Sequence, residues 1–307
     1  MKLKAAIIGY GYWGPKLARN FLNSSKFQIN YVVDNKTNNL IKAKNEIPLA
    51  IGLNNLDEIK AQNLDLIILS TPTMTHFKLV KKFLKFTNVL VEKPLSLNLK
   101  HTRELEKIAK KSKNLLFVDY PFIFSGSTNY IKKIIKNNEL GKLLEIESYR
   151  EQAPIRNDCD VIWDLGVHDL SILRYLLNRN PLKIYSYKYK TGEQKKNDTA
   201  YINLEYSNNL KVFIKNSWIS PVKTRTIKFK FSKGILICDE NEALYKIKIY
   251  KKLNLKNTNY KLEIPEIDLT EPLLNLVNYI SFSIKNKKNE IYNKNFNEDI
   301  TKVLQKI

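Results

Sequence analysis

Residues 3–14 read Leu-Lys-Ala-Ala-Ile-Ile-Gly-Tyr-Gly-Tyr-Trp-Gly, an apolar run that leads directly into a G-x-G-x-x-G pattern. A helix-like stretch, residues 15–22, follows, and a second apolar run, residues 29–33, ends at Asp34. A strand, a glycine-rich turn, a helix and a second strand ending in an acid form the context that a dinucleotide site requires. This order predicts a Rossmann-type βαβ unit near the start of the sequence.

Each glycine of the pattern has a separate physical task. Gly9 permits a tight turn, Gly11 lets the backbone approach a pyrophosphate, and Gly14 lets the helix pack close to the strand. The amino end of the helix, next to Tyr12 and Trp13, offers unpaired N–H groups and a positive dipole end to phosphates. These five residues are therefore candidates for cofactor binding.

Asp34 indicates which dinucleotide the site prefers. A carboxylate at the end of the second strand can accept hydrogen bonds from both ribose hydroxyls. Its charge would repel a 2′-phosphate, so we expect NAD rather than NADP as the cofactor.

Length and composition limit the other classes of function. The chain has 307 residues, enough for about two domains. No apolar run approaches the roughly 18–20 residues of a membrane span, and we find no signal-peptide pattern. Cys159 and Cys238 are too few for a disulfide framework and lack metal-ligand spacing. We therefore expect a cytoplasmic protein with no membrane partner and no bound metal.

The net charge of +22 is open to two interpretations. It is typical of nucleic-acid binders, but it also arises when a composition drifts towards lysine. The lysines are scattered over the whole chain, and no basic block with interleaved aromatic residues stands out. We favour drift and expect no nucleic-acid partner.

The rhythm of apolar runs changes near residue 120. Before it, strands alternate with helices, which predicts a parallel, doubly wound sheet with residues 1–120 as the NAD-binding Rossmann domain. After it, a helix over residues 161–177 precedes a series of strands from about 182 to 264, which predicts a mostly antiparallel sheet. Residues 121–307 then form a second domain, of α/β type.

Two polar clusters follow predicted parallel strands, at the sheet edge where ligands bind in such folds. Ser70, Thr71 and Pro72 follow the strand at 64–69, and His76 lies four residues beyond Pro72. Taken alone, this cluster also fits a plain turn with a helix cap. The second cluster contains Lys93, a candidate catalytic residue.

Glu92, Lys93 and Pro94 follow the strand at 89–91. At that position Lys93 would point towards the nicotinamide, and Pro94 would fix the backbone locally. In a chain so rich in lysine, a solvated lysine before a turn is the alternative.

Asp164 and His168 belong to a third cluster, residues 163–169. On an α-helix they are four residues apart and share one face. A carboxylate one turn away can hold the imidazole in one tautomer and raise its basicity, which suits a base that removes a hydroxyl proton. The alternative is an ion pair on a helix surface.

The loop before this cluster, residues 150–158, contains Arg156 and Asn157. Both could reach a ligand lying over His168, and an arginine can pair with a phosphate or a uronate carboxylate through its planar fork of donors. The alternative is a solvated loop in which Arg156 pairs with Asp158 or Asp160.

Taken together, these motifs resemble the Gfo/Idh/MocA family of NAD(P)-dependent oxidoreductases. The resemblance implies a Rossmann domain and hydride transfer at a sugar or polyol carbon. It also implies that residues 121–307 are a domain for substrate binding and oligomerisation, with an open, mostly antiparallel sheet that mediates dimers or tetramers. Lys93 matches the lysine of the family's E-K-P motif, and Asp164 and His168 match the acid and the histidine of D-x-x-x-H. Residues 71–76 fit the family as well.

A narrower resemblance is to the UDP-N-acetylglucosamine and UDP-N-acetylglucosaminuronate 3-dehydrogenase-like enzymes, which serve surface-polysaccharide synthesis. It rests on residues 11–14, 156–158 and 161–164. Where many members have a Gly-His pair at the end of the sixth strand, this chain has Asp119-Tyr120, so the substrate stays open in detail.

The sequence therefore predicts an NAD-dependent dehydrogenase of a nucleotide-linked amino sugar, acting at C3, as a homodimer or homotetramer. Lys93, His168 and Asp164 are the catalytic candidates, and the same three residues with Arg156 and Asn157 are the substrate-binding candidates. Candidates for cofactor binding share a position at the carboxyl edge of the sheet: Gly9, Gly11, Tyr12, Trp13, Gly14, Asp34, Ser70, Thr71, Pro72, His76, Glu92 and Lys93. A dehydrogenase of a free polyol such as inositol, and an NAD-binding regulator without catalysis, are the alternatives.

Overall fold

The computed structural model describes residues 1–156, 158–193, 195–253, 259–292 and 295–307. Its strands are β1 (Leu3–Ile8), β2 (Phe27–Val33), β3 (Ile51–Leu53), β4 (Leu66–Leu69), β5 (Asn88–Glu92), β6 (Leu116–Asp119), β7 (Leu143–Glu151), β8 (Lys183–Tyr189), β9 (Thr199–Glu205), β10 (Lys211–Ser217), β11 (Thr224–Phe231), β12 (Gly234–Asp239), β13 (Ile247–Lys252) and β14 (Tyr260–Glu263). Its helices are α1 (Gly14–Asn23), α2 (Thr37–Glu46), α3 (Thr73–Phe83), α4 (Leu99–Ser112), α5 (Gly126–Asn137), α6 (Val167–Leu177), α7 (Pro272–Asn286) and α8 (Phe296–Lys306). Among the described residues, no helix has the length and apolar character that a membrane crossing needs.

The first sheet has the strand order β3-β2-β1-β4-β5-β6, and its neighbouring strands are parallel. This is the Rossmann order, in which the direction of winding reverses between β1 and β4 and leaves a crevice at the carboxyl ends of those strands. The four residues of β4 are fully buried, as a strand covered on both faces must be. The predicted doubly wound parallel sheet is confirmed.

The second sheet has the order β14-β13-β12-β11-β7-β10-β9-β8. Its strand pairs are antiparallel except for β7 and β10, which run parallel. Along β9, β11 and β12 buried residues alternate with exposed or half-buried ones, because one face of the sheet packs on a core. The predicted open, mostly antiparallel sheet is confirmed.

The chain divides into two compact units at positions that differ from the predicted boundary. The first unit comprises Met1–Phe124 and Glu271–Thr301, and the second comprises Ser125–Thr270 and Lys302–Ile307. Residues 271–301, which we had expected in the second domain, thus belong with the Rossmann sheet. Tyr292 illustrates why, because its hydroxyl donates a 2.6 Å hydrogen bond to the carbonyl of Val118 in β6.

The predicted continuous α-helix over residues 161–177 is wrong in its first turn. Residues Ile162–Gly166 form a π-helical turn, and the α-helix begins at Val167. Gly166 lies so close to β10 that a Cβ would stand 2.8 Å from Oδ1 of Asn216. The widened turn therefore lets the chain pass the sheet at a point where only a glycine fits.

Candidate active site

Residues 9–14, here called the cofactor turn, connect β1 to α1. Gly9 has a φ of +92°, and a Cβ on it would lie 2.7 Å from the carbonyl oxygen of Ser70. A Cβ on Gly14 would collide with the carbonyl oxygen of Gly9. Among the described residues, and leaving out its chain neighbours, no heavy atom lies within 4 Å of the Cβ position at Gly11. The turn is therefore closed at both ends and open in the middle, as the approach of a pyrophosphate requires.

The amino end of α1 begins at this turn. Trp13 is its N-cap, and no side chain in the described part of the chain caps the helix there. Tyr12 is largely exposed, and the ammonium of Lys16 lies 3.7 Å from the centre of its ring. A helix start without a side-chain cap, with a cation beside it, suits a negatively charged diphosphate.

Asp34 follows β2 and is buried, with both carboxylate oxygens engaged by backbone. Oδ2 accepts a 2.7 Å hydrogen bond from the N–H of Tyr10, and Oδ1 accepts a 2.9 Å bond from the N–H of Lys36. These bonds fix the carboxylate between the cofactor turn and the start of α2. Each oxygen keeps a further lone pair, so the group can still accept from a ribose hydroxyl.

Ser70, Thr71 and Pro72 lie at the carboxyl end of β4, beside the cofactor turn. The hydroxyl of Ser70 donates to the carbonyl of Gly9 at 2.6 Å, which ties the two loops together. The hydroxyls of Thr71 and Thr75 are 2.6 Å apart, and that of Thr75 also donates to the carbonyl of Pro72. These bonds join residues at the start of α3, whose N-cap is Pro72 and which has no side-chain capping bond in the described part of the chain.

His76 is buried rather than presented to a ligand. Its Nδ1 lies 2.8 Å from the carbonyl oxygen of Pro94, and its Nε2 lies 2.9 Å from that of Thr71. The ring thus joins the loop after β4 to the loop after β5. The structure gives His76 a role in holding these two loops, and its predicted contact with the cofactor stays a prediction.

Glu92 is the last residue of β5, and Lys93 follows it with a half-exposed side chain. The Lys93–Pro94 peptide bond is cis. The carbonyl of Pro94 is the one that faces Nδ1 of His76. Lys93 therefore sits on a loop whose backbone is held from the neighbouring strand end.

Asp119, which sequence reasoning did not assign to the site, lies at the same edge. It ends β6 next to Glu92 in the strand register, it is 1% exposed, and Oδ2 accepts a 2.6 Å hydrogen bond from Nε1 of Trp13. Its neighbour Tyr120 is buried against the rings of Tyr292 and Phe296. The Asp119-Tyr120 pair, which stands here in place of Gly-His, thus provides one acid at the sheet edge and one aromatic ring in the core.

Asp164 and His168 lie in the second unit, on either side of the point where the π-helical turn becomes α6. The carboxylate of Asp164 accepts hydrogen bonds from Nε1 of Trp218 at 3.0 Å and from Nη1 of Arg156 at 3.4 Å. His168 is half-buried in the first turn of α6. We call these four residues the acid–base cluster. The acid of this cluster, Asp164, is held by Trp218, which follows β10, and by Arg156. The spacing of Asp164 and His168 in the sequence did not indicate either contact.

Asp169, the next residue after His168, anchors this helix to the second sheet. Its Oδ1 accepts from Ser148 at 2.8 Å and from Nε of Arg150 at 3.2 Å, and its Oδ2 accepts from Asn216 at 2.8 Å. The carboxylate and the guanidinium are 1% and 2% exposed. Sequence reasoning missed this network, although the second acid of the D-L-G-V-H-D stretch was a signal for it.

Arg156 pairs with neighbouring acids. Nε and Nη2 donate to the two oxygens of Asp158 at 2.9 and 2.7 Å, while Nη1 reaches Asp164. The hydrogen bond with Asp158 raises the pKa of Arg156 above its usual value. This is the pairing that the sequence offered as the alternative to a ligand contact. Asn157, the other candidate of this loop, lies outside the described residues.

Comparison with known families agrees with this architecture. The model of the oxidoreductase family GFO_IDH_MocA, with its NAD-binding Rossmann fold, matches residues 3–120. The model of the GFO/IDH/MocA C-terminal domain matches residues 128–237. The chain belongs to the Gfo/Idh/MocA family. Its first unit is accordingly an NAD-binding Rossmann domain, and the open turn at Gly11, the uncapped start of α1 and the fixed carboxylate of Asp34 fit that cofactor.

Individual relatives differ in how much of their length is matched. An uncharacterised oxidoreductase of Schizosaccharomyces pombe is 31% identical over 152 residues, which is 48% of this chain but only 41% of that protein. A myo-inositol 2-dehydrogenase of Thermotoga maritima is 25% identical over 229 residues, covering 70% of this chain and 68% of that protein. The solved structure of UDP-N-acetylglucosamine 3-dehydrogenase GnnA from Acidithiobacillus ferrooxidans has a TM-score of 0.87 at 17% identity, covering 100% of this chain and 97% of that one. That structural match shows a common fold.

Proposed function

We propose that this protein is an NAD-dependent dehydrogenase that oxidises a ring hydroxyl, at C3, of a nucleotide-linked amino sugar used for surface polysaccharides. GnnA, which has the same fold over the whole chain, is named for a reaction of this kind. The myo-inositol 2-dehydrogenase of Thermotoga maritima supports the second candidate, a free polyol as substrate. Both candidate substrates would react in the same way at the carbinol carbon. They differ in the part of the substrate beyond that carbon, which is a nucleotide in the first and absent in the second.

The reaction removes two hydrogens from the substrate, one from the carbinol carbon and one from its hydroxyl group. NAD held by the cofactor turn and Asp34 would supply the acceptor for the hydride, which carries both electrons of the C–H bond. The hydroxyl proton goes to His168, and the carbon–oxygen bond becomes a carbonyl. Lys93 donates a hydrogen bond to the reacting oxygen and stabilises its alkoxide character.

The observation that carries this proposal is the environment of Asp164. The residue is only 8% exposed, and two donors fix its carboxylate four residues before a half-buried histidine. A fixed carboxylate close in the chain to an imidazole is an arrangement that orients a general base.

The nucleotide part of the substrate is assigned to Arg156. In the described structure its guanidinium is shared between Asp158 and Asp164, at 35% side-chain exposure. A phosphate or a uronate carboxylate can replace Asp158 as the partner of the exposed fork, while Nη1 keeps its bond to Asp164. The point charge of a lysine cannot make both contacts at once.

Calorimetry with UDP-N-acetylglucosamine, its uronate and free myo-inositol tests this assignment. We expect the wild-type protein to bind a UDP-sugar, and Arg156→Lys to weaken that binding about tenfold or more without changing NADH affinity. Arg103→Lys is the matched control, because Arg103 makes a similar exposed pair with Glu298 in the first unit. Binding of free inositol but of neither UDP-sugar would move the protein to the polyol candidate and overturn the substrate assignment.

A homodimer or homotetramer is also part of this proposal. On the face of the second sheet, exposed aromatic residues occupy neighbouring strands: Tyr149, Tyr185, Tyr187, Tyr201 and Phe213. A cluster of exposed rings of this size is typical of a surface that another protein covers. A mass of one chain by light scattering, at the concentrations used for the assays, would contradict the homo-oligomer.

A further inference from the structure

Gln152 is the residue at which the chain leaves the second sheet. It directly follows β7 and has a φ of +59°, in the left-handed region that a residue with a Cβ rarely adopts. Its N–H donates to the carbonyl of Ser217 at 2.8 Å, and the N–H of Ala153 donates to that of Trp218 at 3.4 Å. The direction that the chain takes after β7, towards Arg156, is therefore set by one strained residue and its partners.

Arg225, in β11, holds this turn from the other side. β7 lies between β10 and β11 in the sheet, and Ser217 and Thr224 both pair with Glu151 in the strand registers. Nη1 of Arg225 donates to the carbonyl of Glu151, and Nη2 donates to that of Gln152 at 3.0 Å. A third bond, from Nη1 to the carbonyl of Thr224, is 2.7 Å long. The guanidinium thus bonds the carbonyls of both peptide groups that flank the Cα of Gln152.

The partners of Arg225 are all backbone groups. Among the described residues, its side-chain hydrogen bonds go to three carbonyls and none goes to a carboxylate. The planar fork of a guanidinium can bond two neighbouring carbonyls at once, which the point charge of an ammonium does not reproduce. This half-buried side chain is therefore suited to fixing the backbone on both sides of Gln152.

We propose that Arg225 is a positioning residue for substrate binding, which holds the left-handed turn at Gln152 and thereby the segment that carries Arg156. This role rests on the proposed function, because the contact of Arg156 with the nucleotide part of the substrate is taken from there. Arg225 acts through the backbone, and in the described part of the chain it makes no hydrogen bond to the acid–base cluster.

The segment after the turn is connected to the acid–base cluster at two points. The carbonyl of Trp218 accepts from the N–H of Ala153, while the indole of Trp218 donates to Asp164. Three residues beyond Ala153, Nη1 of Arg156 reaches the same carboxylate. A different backbone direction at Gln152 would displace both contacts, and with them the fork of Arg156 that is assigned to the substrate.

Two measurements test this role, one with a ligand and one without. Calorimetry with UDP-N-acetylglucosamine and its uronate gives the affinity, and limited trypsin digestion with mass spectrometry gives the rate of cleavage after Arg156. Arg225→Met removes the donors, so we expect about tenfold weaker binding of the UDP-sugar and about tenfold faster cleavage, with unchanged NADH affinity. Arg179→Met is the matched control, because it removes another half-buried guanidinium of the second unit, which donates to Ser207, and it should change neither quantity.

Glycine at position 152 distinguishes a role in the turn from a general loss of stability. Glycine adopts a positive φ as readily as a negative one, so the turn would form without Arg225. We expect Arg225→Met to change binding and cleavage about tenfold in the wild-type background, but by no more than about twofold in a Gln152→Gly background. Gln152→Val, which keeps Arg225 but has a β-branched side chain that disfavours a positive φ, should reproduce the losses of Arg225→Met.

Wild-type binding and cleavage in Arg225→Met, or an equal effect of this substitution in both backgrounds, would overturn the proposal. Wild-type cleavage after Arg156 in Gln152→Val would also overturn it, and this result decides the matter even if Arg225→Met fails to fold. A wild-type protein that binds neither UDP-sugar would overturn the substrate assignment of Arg156, whereas the cleavage rates test the role of Arg225 without any substrate.

Discussion

In the first unit the candidate cofactor contacts are mainly backbone groups, whereas in the second unit the candidate acid, Asp164, is held by other side chains. The features of the cofactor turn that suit a dinucleotide are the φ of Gly9, the space at Gly11 and the start of α1, which no described side chain caps. In the proposed acid–base cluster, the carboxylate of Asp164 is bonded to the side chains of Trp218 and Arg156. A backbone site tolerates change in most side chains around it, while a side-chain network depends on every partner.

The largest effect is expected where this dependence is strongest, at Asp169. Asp169→Ala would leave the buried guanidinium of Arg150 without its carboxylate and remove the acceptor of Ser148 and Asn216. Breaking a buried ion pair from one side costs about 3–5 kcal/mol, so we expect a large loss of unfolding free energy in denaturant titration. Glu205→Ala, which removes an exposed pair with Lys211 in the same sheet, should leave the denaturation midpoint unchanged. Equal midpoints for the two variants would contradict the anchoring role.

The next largest effect concerns turnover. His168→Ala and Lys93→Ala should each lower kcat about a hundredfold or more, the scale of lost acid–base help, with little change in Tm because both side chains are partly exposed. His101→Ala is the control for the first, since this histidine lies on α4 stacked on Phe77 at 3.8 Å, and Lys100→Ala is the control for the second. Near-normal turnover of either test variant on the true substrate would show that its catalytic assignment is wrong.

The same contrast explains how much could be predicted from the sequence. Gly9, Gly14 and Asp34 act within one βαβ unit, where local spacing determines the geometry, and they stand where the pattern predicts. Trp218 is 54 positions from Asp164, and Trp13 is 106 positions from Asp119. Such contacts depend on which strands become neighbours, and no local pattern contains that information.

Two other differences have the same origin. The π-helical turn at Ile162–Gly166 responds to the proximity of β10, which helical periodicity cannot reveal. Residues 271–301 return to the first unit although they follow the second in sequence, because the aromatic rings around Tyr292 pack against β6 and Tyr120. A boundary drawn where the rhythm of strands changes marks the end of the Rossmann sheet but not the end of its domain.

The smallest expected effect tests the one side chain on which the backbone site does depend. The carboxylate of Asp34 is fixed by the N–H groups of Tyr10 and Lys36, so it cannot turn away from a 2′-phosphate. We expect NADH to bind about tenfold more tightly than NADPH, which corresponds to roughly 1.4 kcal/mol. Asp34→Asn should reduce this preference for NADH, since it removes the negative charge and leaves one of the two N–H groups facing the amide group of asparagine.

Lys36→Met, which keeps the backbone N–H and removes a cation that could pair with the 2′-phosphate, should make the preference for NADH stronger. Titration of both reduced cofactors measures all three preferences, and equal or tighter binding of NADPH to the wild-type protein would mean that Asp34 supports the turn without selecting the cofactor.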